Sequence, residues 1–196
     1  MTSPRLRVCV YCGSRSGRSP LMLQAARALG ASLAARGLGL VYGGGRVGLM
    51  GAVADAVLAG GGEAIGVIPQ ALLQREVGHH GLSELHVVQT MHERKQRMAE
   101  RADAFVTLPG GIGTLEELYE VWSWQHLGYH DKPVALLNVE GYYDALLRFM
   151  AHARDSGFVS DARHDALIVD DDVERLLDRV MVAARQATAP DDYSRI

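Results

Sequence analysis

Short apolar runs of strand length alternate along this chain with longer segments whose apolar residues recur every three or four positions. The runs are residues 8–11, 38–42, 64–68, 104–108 and 133–137. Continuous apolar runs of this length predict strands covered on both faces, as in a parallel sheet. The segments 21–35, 49–58, 91–101, 115–127, 142–155 and 173–184 predict helices. Ser19 and Pro20 supply a cap and a first-turn proline for the first helix, and Gly60-Gly61-Gly62 closes the second. Between 70 and 90 the pattern predicts a short helix, a polar loop at His79-His80-Gly81 and an extended piece at 85–88. Residues 166–169 read as a short strand and 188–196 as a frayed end. The alternation defines an α/β protein with helices on both faces of its sheet, expected to occupy 1–196 as a single domain.

Ligands of such sheets lie beyond the carboxyl ends of the strands. Three turns rich in small residues fall at that edge: Cys12-Gly13-Ser14, Gly43-Gly44-Gly45 and the stretch 109–113. The third, Pro109-Gly110-Gly111-Ile112-Gly113-Thr114, joins a strand to a helix, where backbone N–H groups and the helix dipole favour an anion. Glu117 places a carboxylate one turn further on. A phosphate site beside a carboxylate points to an enzyme acting on a phosphorylated sugar or nucleotide. The competing reading is a capping box, Thr114-x-x-Glu117, in which the glutamate caps its own helix.

Met91, Arg94, Lys95, Met98 and Ala102 fall on one helical face. The Met and Ala members mark that face as inward, so Arg94 and Lys95 are predicted to point in, towards the anion site and Glu117. Charges there need partners or a wet cleft. Alternatively, their stems cover apolar surface while the charged ends reach solvent. Glu116 and Glu120 read as solvated.

Other motifs carry less. Gly43-x-Gly45-x-x-Gly48 fits a dinucleotide fingerprint, but Glu63 stands at the wrong end of the next strand to hold a ribose. A turn approaching a mononucleotide, or glycines serving only tight packing, fits better. Cys9-x-x-Cys12 lies at a strand, not at a helix start, and lacks further ligands at zinc spacing. His126 and His130 are spaced i, i+4 without the glutamate of a zinc-protease helix, and both read as structural. A net charge of −3 gives no reason to expect nucleic acid or an anionic membrane. No apolar run approaches the roughly 20 residues of a membrane span. A signal peptide is not suggested, and a cytoplasmic location is the expectation.

The stretch 109–117, the Met91-His92-Glu93-Arg94-Lys95 helix start, the Gly43-Gly44-Gly45 turn and the Cys12-Gly13-Ser14 turn occur together and in order. They resemble the LOG family of cytokinin riboside 5′-monophosphate phosphoribohydrolases, whose PGGxGTxxE motif the first matches. The resemblance runs from about residue 6 to 182. Similar sequences also carry the label lysine decarboxylase, although nothing here suggests a pyridoxal phosphate site. The resemblance implies a Rossmann-like doubly wound parallel sheet and a homodimer. It implies hydrolysis of the N-glycosidic bond of N6-substituted AMP to free base and ribose 5-phosphate, with neither cofactor nor metal. Arg94 and Glu117 match the catalytic pair. Gly110, Gly111, Gly113 and Thr114 match the phosphate cradle, and Ser14, Gly44, Met91 and Lys95 match nucleotide-contact positions. The partner implied is a small-molecule nucleotide monophosphate. Three alternatives stay open: an AMP nucleosidase of salvage, a non-catalytic carrier of the molybdenum-cofactor type, and a single-stranded DNA binder, against which the negative charge speaks.

Overall fold

The computed structural model describes residues 5–73 and 78–193. Seven strands are β1 (Arg7–Tyr11), β2 (Gly39–Tyr42), β3 (Ala64–Pro69), β4 (Glu84–Val88), β5 (Ala104–Thr107), β6 (Val134–Leu137) and β7 (Ile168–Asp170). The helices are α1 (Pro20–Ala35), α2 (Gly48–Ala59), α3 (Gln70–Leu73), α4 (Met91–Glu100), α5 (Ile112–Leu127), α6 (Asp144–Asp155), α7 (Asp161–Asp165) and α8 (Val173–Gln186). All pairings are parallel and the strand order is β4-β3-β2-β1-β5-β6-β7. The chain builds outward from β1 to one edge, then returns and builds outward from β5 to the other. The switch point therefore lies between β1 and β5, where Tyr11 pairs with Thr107.

Strand pleating divides the core in two. Val8, Val10 and Cys12 face α1, α2 and α8, with Leu29, Leu33, Val53 and Leu177 completely buried among them. Cys9, Tyr11 and Phe105 face α4 and α5, packed with Met98, Leu118 and Val121. Each large aliphatic buried this way contributes about 1.5–3 kcal/mol. The two cysteines, three residues apart, thus sit in separate core clusters and are both free thiols. That geometry removes the redox and zinc readings of Cys9-x-x-Cys12. Gly30 sits where α1 crosses α2: a Cβ there would stand 2.4 Å from the Val53 carbonyl oxygen.

One expectation is corrected at the carboxyl end, and one element there was not anticipated. The segment before β7 contains α7, a single helical turn too short to show a period. Residues 188–193 are docked, not frayed. The N–H groups of Thr188 and Ala189 donate to Asp131, that of Asp192 to the Tyr129 carbonyl, and Asp191 meets Lys132 Nζ at 2.5 Å. Tyr193 packs its ring against Trp124 and His130 and lies under the Lys132 ammonium. One aromatic among polar residues is a weak sequence signal, so the anchor was not visible beforehand. Residues 194–196, the rest of that stretch, lie outside the described residues, as do 74–77 within the difficult segment 70–90.

His130 is the structural residue that the sequence suggested, and it makes stability pH-dependent. It is 2% exposed, with Nε2 set against the Val121 carbonyl and Nδ1 accepting from the Lys132 N–H. Burial pushes its pKa down from 6.5 to about 4. Between those values the unfolded chain binds a proton that the folded chain does not. Stability is therefore complete above about pH 6.5 and lost on the order of 3 kcal/mol as pH falls to about 4. Melting temperatures from pH 7.5 to 4.5 should show this slope, and His130→Gln should flatten it. An unchanged slope in that variant would assign the acid sensitivity elsewhere. His126, by contrast, is exposed, so the i, i+4 pair forms no site.

Candidate active site at the switch point

A cleft of about 940 Å³ opens at the carboxyl ends of β1 and β5. Its floor and one wall are Cys12, Gly13 and Ser14 after β1, and Pro109 to Thr114 after β5. The two turns are tied together, since the Gly13 N–H donates to the Pro109 carbonyl at 3.1 Å. The α1 start, with Arg15 and Arg18, forms a second wall. Met22, Leu49, Met50, Leu72 and Met91 make part of the lining apolar.

Helix α5 begins at Ile112, with Gly111 as its cap residue and no side-chain cap. Thr114 is thus the third helical residue and not a cap, which removes the capping-box reading of Thr114-x-x-Glu117. The helix starts three residues before the predicted 115 because glycines lower apparent helix propensity while leaving the first turn geometrically free. The N–H groups of its first turn have no intrahelical acceptor, and Ile112, Gly113 and Thr114, which carry them, line the cleft. A Cβ on Gly110 would stand 2.1 Å from Thr114 Oγ1, so the turn closes onto the threonine only with glycine there. Glu117, one turn further, also lines the cleft.

Arg94 reaches the cleft from α4. Thr90 caps that helix by accepting the Glu93 N–H at 3.1 Å, and Glu93 answers by accepting the Gln89 N–H. The guanidinium is 5% exposed and donates from Nε to the Val67 carbonyl and from Nη2 to the Gly43 carbonyl, both at 3.1 Å. Met91 Sδ lies 3.8 Å from Nη1. A Cβ on Gly43 would fall 2.0 Å from Nη2, so the glycine makes room for the arginine. The fields of both Arg94 and Glu117 reach the Cys9 thiol beneath. Burial pushes that thiol far up, Glu117 adds to the rise and Arg94 opposes it. The same burial raises Cys12, so neither thiol is a nucleophile at neutral pH.

The sequence-predicted residues divide. Ser14, Met91, Arg94, Gly110, Gly111, Gly113, Thr114 and Glu117 all line the one cleft. Lys95 and Gly44 are placed elsewhere. Lys95 Nζ is held by Glu116 at 2.5 Å and Glu120 at 2.8 Å, on the face where α4 meets α5. Burial works against its charge, but the two carboxylates outweigh it and raise its pKa. Glu116 and Glu120, read as solvated, are its anchors. Gly44 sits behind the cleft with φ +76°, its carbonyl accepting the His79 N–H. Gly48 packs on the Ser14 backbone and Glu63 pairs with Arg7 Nε at 2.9 Å, so the fingerprint glycines support the turns and bind no ribose through Glu63. Missed were Tyr142, which follows β6, and Arg15 and Arg18. Their one signal was position after a strand's carboxyl end. Among the described residues no cluster of His, Cys, Asp and Glu could hold a metal ion. No described helix is long and apolar enough to cross a membrane.

A parallel sheet of this order, with an anion-receptive cleft at its switch point, defines a Rossmann-like α/β protein. The molybdenum cofactor carrier protein of Chlamydomonas reinhardtii shares the fold: TM-score 0.71, 21% identity, 93% of this chain and 99% of that one. The family profile described as "Possible lysine decarboxylase" matches residues 50–180. The cytokinin riboside 5′-monophosphate phosphoribohydrolase LOG1 of Arabidopsis thaliana is 53% identical over 81% of this chain and 75% of its own length. The enzyme of that name from Rhodococcoides fascians is 50% identical over 85% of both chains. This chain belongs to that family, the LOG family of phosphoribohydrolases.

Proposed function

We propose that this protein is an N-glycosidase that hydrolyses N6-substituted adenosine 5′-monophosphates, and AMP, to free base and ribose 5-phosphate. The observation that carries the reading is one cleft presenting the open start of α5 together with Arg94 and Glu117. The 5′-phosphate sits on the N–H groups of 111–114 and the Thr114 hydroxyl. The ribose then lies towards Glu117, and the base and its N6 substituent lie against the apolar lining. Cleavage passes through an oxocarbenium-like sugar, whose positive charge a carboxylate stabilises. Glu117 acts on C1′ as ribose ligand, as base for water or as nucleophile. Arg94, fixed by two backbone carbonyls, presents a rigid cation that orients Glu117 and the sugar. Phosphate binding remote from C1′ supplies positioning.

The test is base release from isopentenyladenosine monophosphate, AMP and the matching nucleosides. Monophosphates should exceed nucleosides in kcat/KM by about 10²-fold or more. Equal turnover with and without phosphate would refute the role given to the cradle. No release despite bound nucleotide would leave a carrier. A homodimer and a cytoplasmic location belong to the same proposal. The two unbridged cysteines suit a reducing compartment, and sedimentation analysis tests the dimer.

A further inference from the structure

The turn before α5 is held by hydrogen bonds that the chemistry above does not use. Three successive carbonyls are engaged in hydrogen bonds. The Leu108 carbonyl accepts from the Tyr143 hydroxyl at 2.7 Å, that of Pro109 from the Gly13 N–H at 3.1 Å, and that of Gly110 from the Tyr142 hydroxyl at 2.6 Å. In a trans peptide the C=O and the following N–H point in opposite directions. Fixing the Pro109 and Gly110 carbonyls therefore turns the N–H groups of Gly110 and Gly111 the other way. Neither glycine has a side chain or rigid φ to keep its peptide plane in place. The orientation must be imposed from outside.

Tyr142 is placed to do so. It follows two residues in the left-handed region, Glu140 at φ 52° and Gly141 at φ 68°. Asn138 closes that turn, accepting the Tyr143 N–H at 2.7 Å and donating to Asp144 at 2.8 Å. The rings of Tyr142 and Tyr143 meet edge to face, with centroids 4.9 Å apart. Tyr143 is 1% exposed and is part of the core, whereas Tyr142 is 47% exposed and lines the cleft. An exposed tyrosine whose hydroxyl serves a glycine carbonyl contributes little to the core, yet it reaches the peptide that carries the Gly111 N–H.

We propose that Tyr142 is a positioning residue for phosphate recognition, its hydroxyl holding the Gly110–Gly111 peptide so that the Gly111 N–H faces the substrate's 5′-phosphate. The inference deepens the reading of the α5 start as the phosphate cradle and rests on it. It concerns binding, so its test does not depend on turnover. Calorimetry with ribose 5-phosphate should give a dissociation constant 5- to 20-fold weaker for Tyr142→Phe than for wild type, with a melting temperature within about 2 °C. In kinetics the same variant should lose kcat/KM for the nucleoside monophosphate mainly through KM, and by a larger factor than for the nucleoside. Unchanged ribose 5-phosphate affinity in Tyr142→Phe would overturn the proposal. So would an equal loss on nucleoside and monophosphate, which would mark a general structural role. Wild type that binds ribose 5-phosphate without cleaving any nucleotide would defeat the enzymatic reading alone, and the comparison of affinities would still judge Tyr142. Wild type that binds no ribose 5-phosphate would overturn both the cradle and the tyrosine's role.

Discussion

Glu117→Gln should lower base release from a nucleoside 5′-monophosphate by about 10³-fold, within the 10²–10⁴ range of a positioned acid or base. The amide matches the carboxylate in size, so cleft shape and phosphate binding should persist. What disappears is the negative charge that the proposed mechanism sets against C1′, which counts most as the sugar becomes oxocarbenium-like. Glu117 has no capping duty, since α5 starts at Ile112 and its cap residue is Gly111. Steady-state kinetics beside calorimetric binding of the product ribose 5-phosphate separates the two effects. Wild-type turnover in the variant would remove Glu117 from the chemistry.

Arg94→Lys should cost both stability and activity, although it conserves charge. The arginine fork serves the carbonyls of Val67 and Gly43 at once, from a position 5% exposed. A lysine has one nitrogen and a different reach, so at least one buried carbonyl loses its donor. Each such loss costs about 1–3 kcal/mol. The ammonium also cannot reproduce the planar cation that the proposed mechanism uses, and kcat/KM should fall by about 10²-fold. Chemical denaturation reads the first effect. Turnover, measured where the variant is fully folded, reads the second. Full activity in a folded Arg94→Lys protein would reduce Arg94 to a strut between β2 and β3.

The elements most legible in the sequence were those whose signal is local. Five apolar runs separated by amphipathic segments required a parallel sheet covered on both sides, and the seven-stranded sheet is all parallel. The two edge strands were weaker because each has one neighbour: β4 has one buried residue, Val88, and β7 has three half-buried residues. The inward face of α4 was readable from Met98 and Ala102, both buried, whereas Met91 at the helix start is 43% exposed. It placed Arg94 correctly because the arginine shares the face that packs on β3. Lys95, one position round, leans towards α5 and finds Glu116 and Glu120. Helical period assigns a face to within one residue's rotation, about 100°, and that is too coarse to separate cleft from helix–helix seam.

By itself the sequence determined the alternation of strands and helices, the glycine turns at the carboxyl edge, and the pairing of a cradle motif with Arg94 and Glu117. These depend on spacing within one segment, or on turn geometry that only small residues permit. The tertiary structure alone decided that Lys95 leaves the cleft, that Gly44 lies behind it, that residues 188–193 are pinned by Asp131 and Lys132, and that Tyr142 reaches back 32 residues to the Gly110 carbonyl. Each of these is set by which distant segment arrives as neighbour. Local propensity carries no information about that, because the free energy deciding it comes from burial and hydrogen bonding between elements already formed.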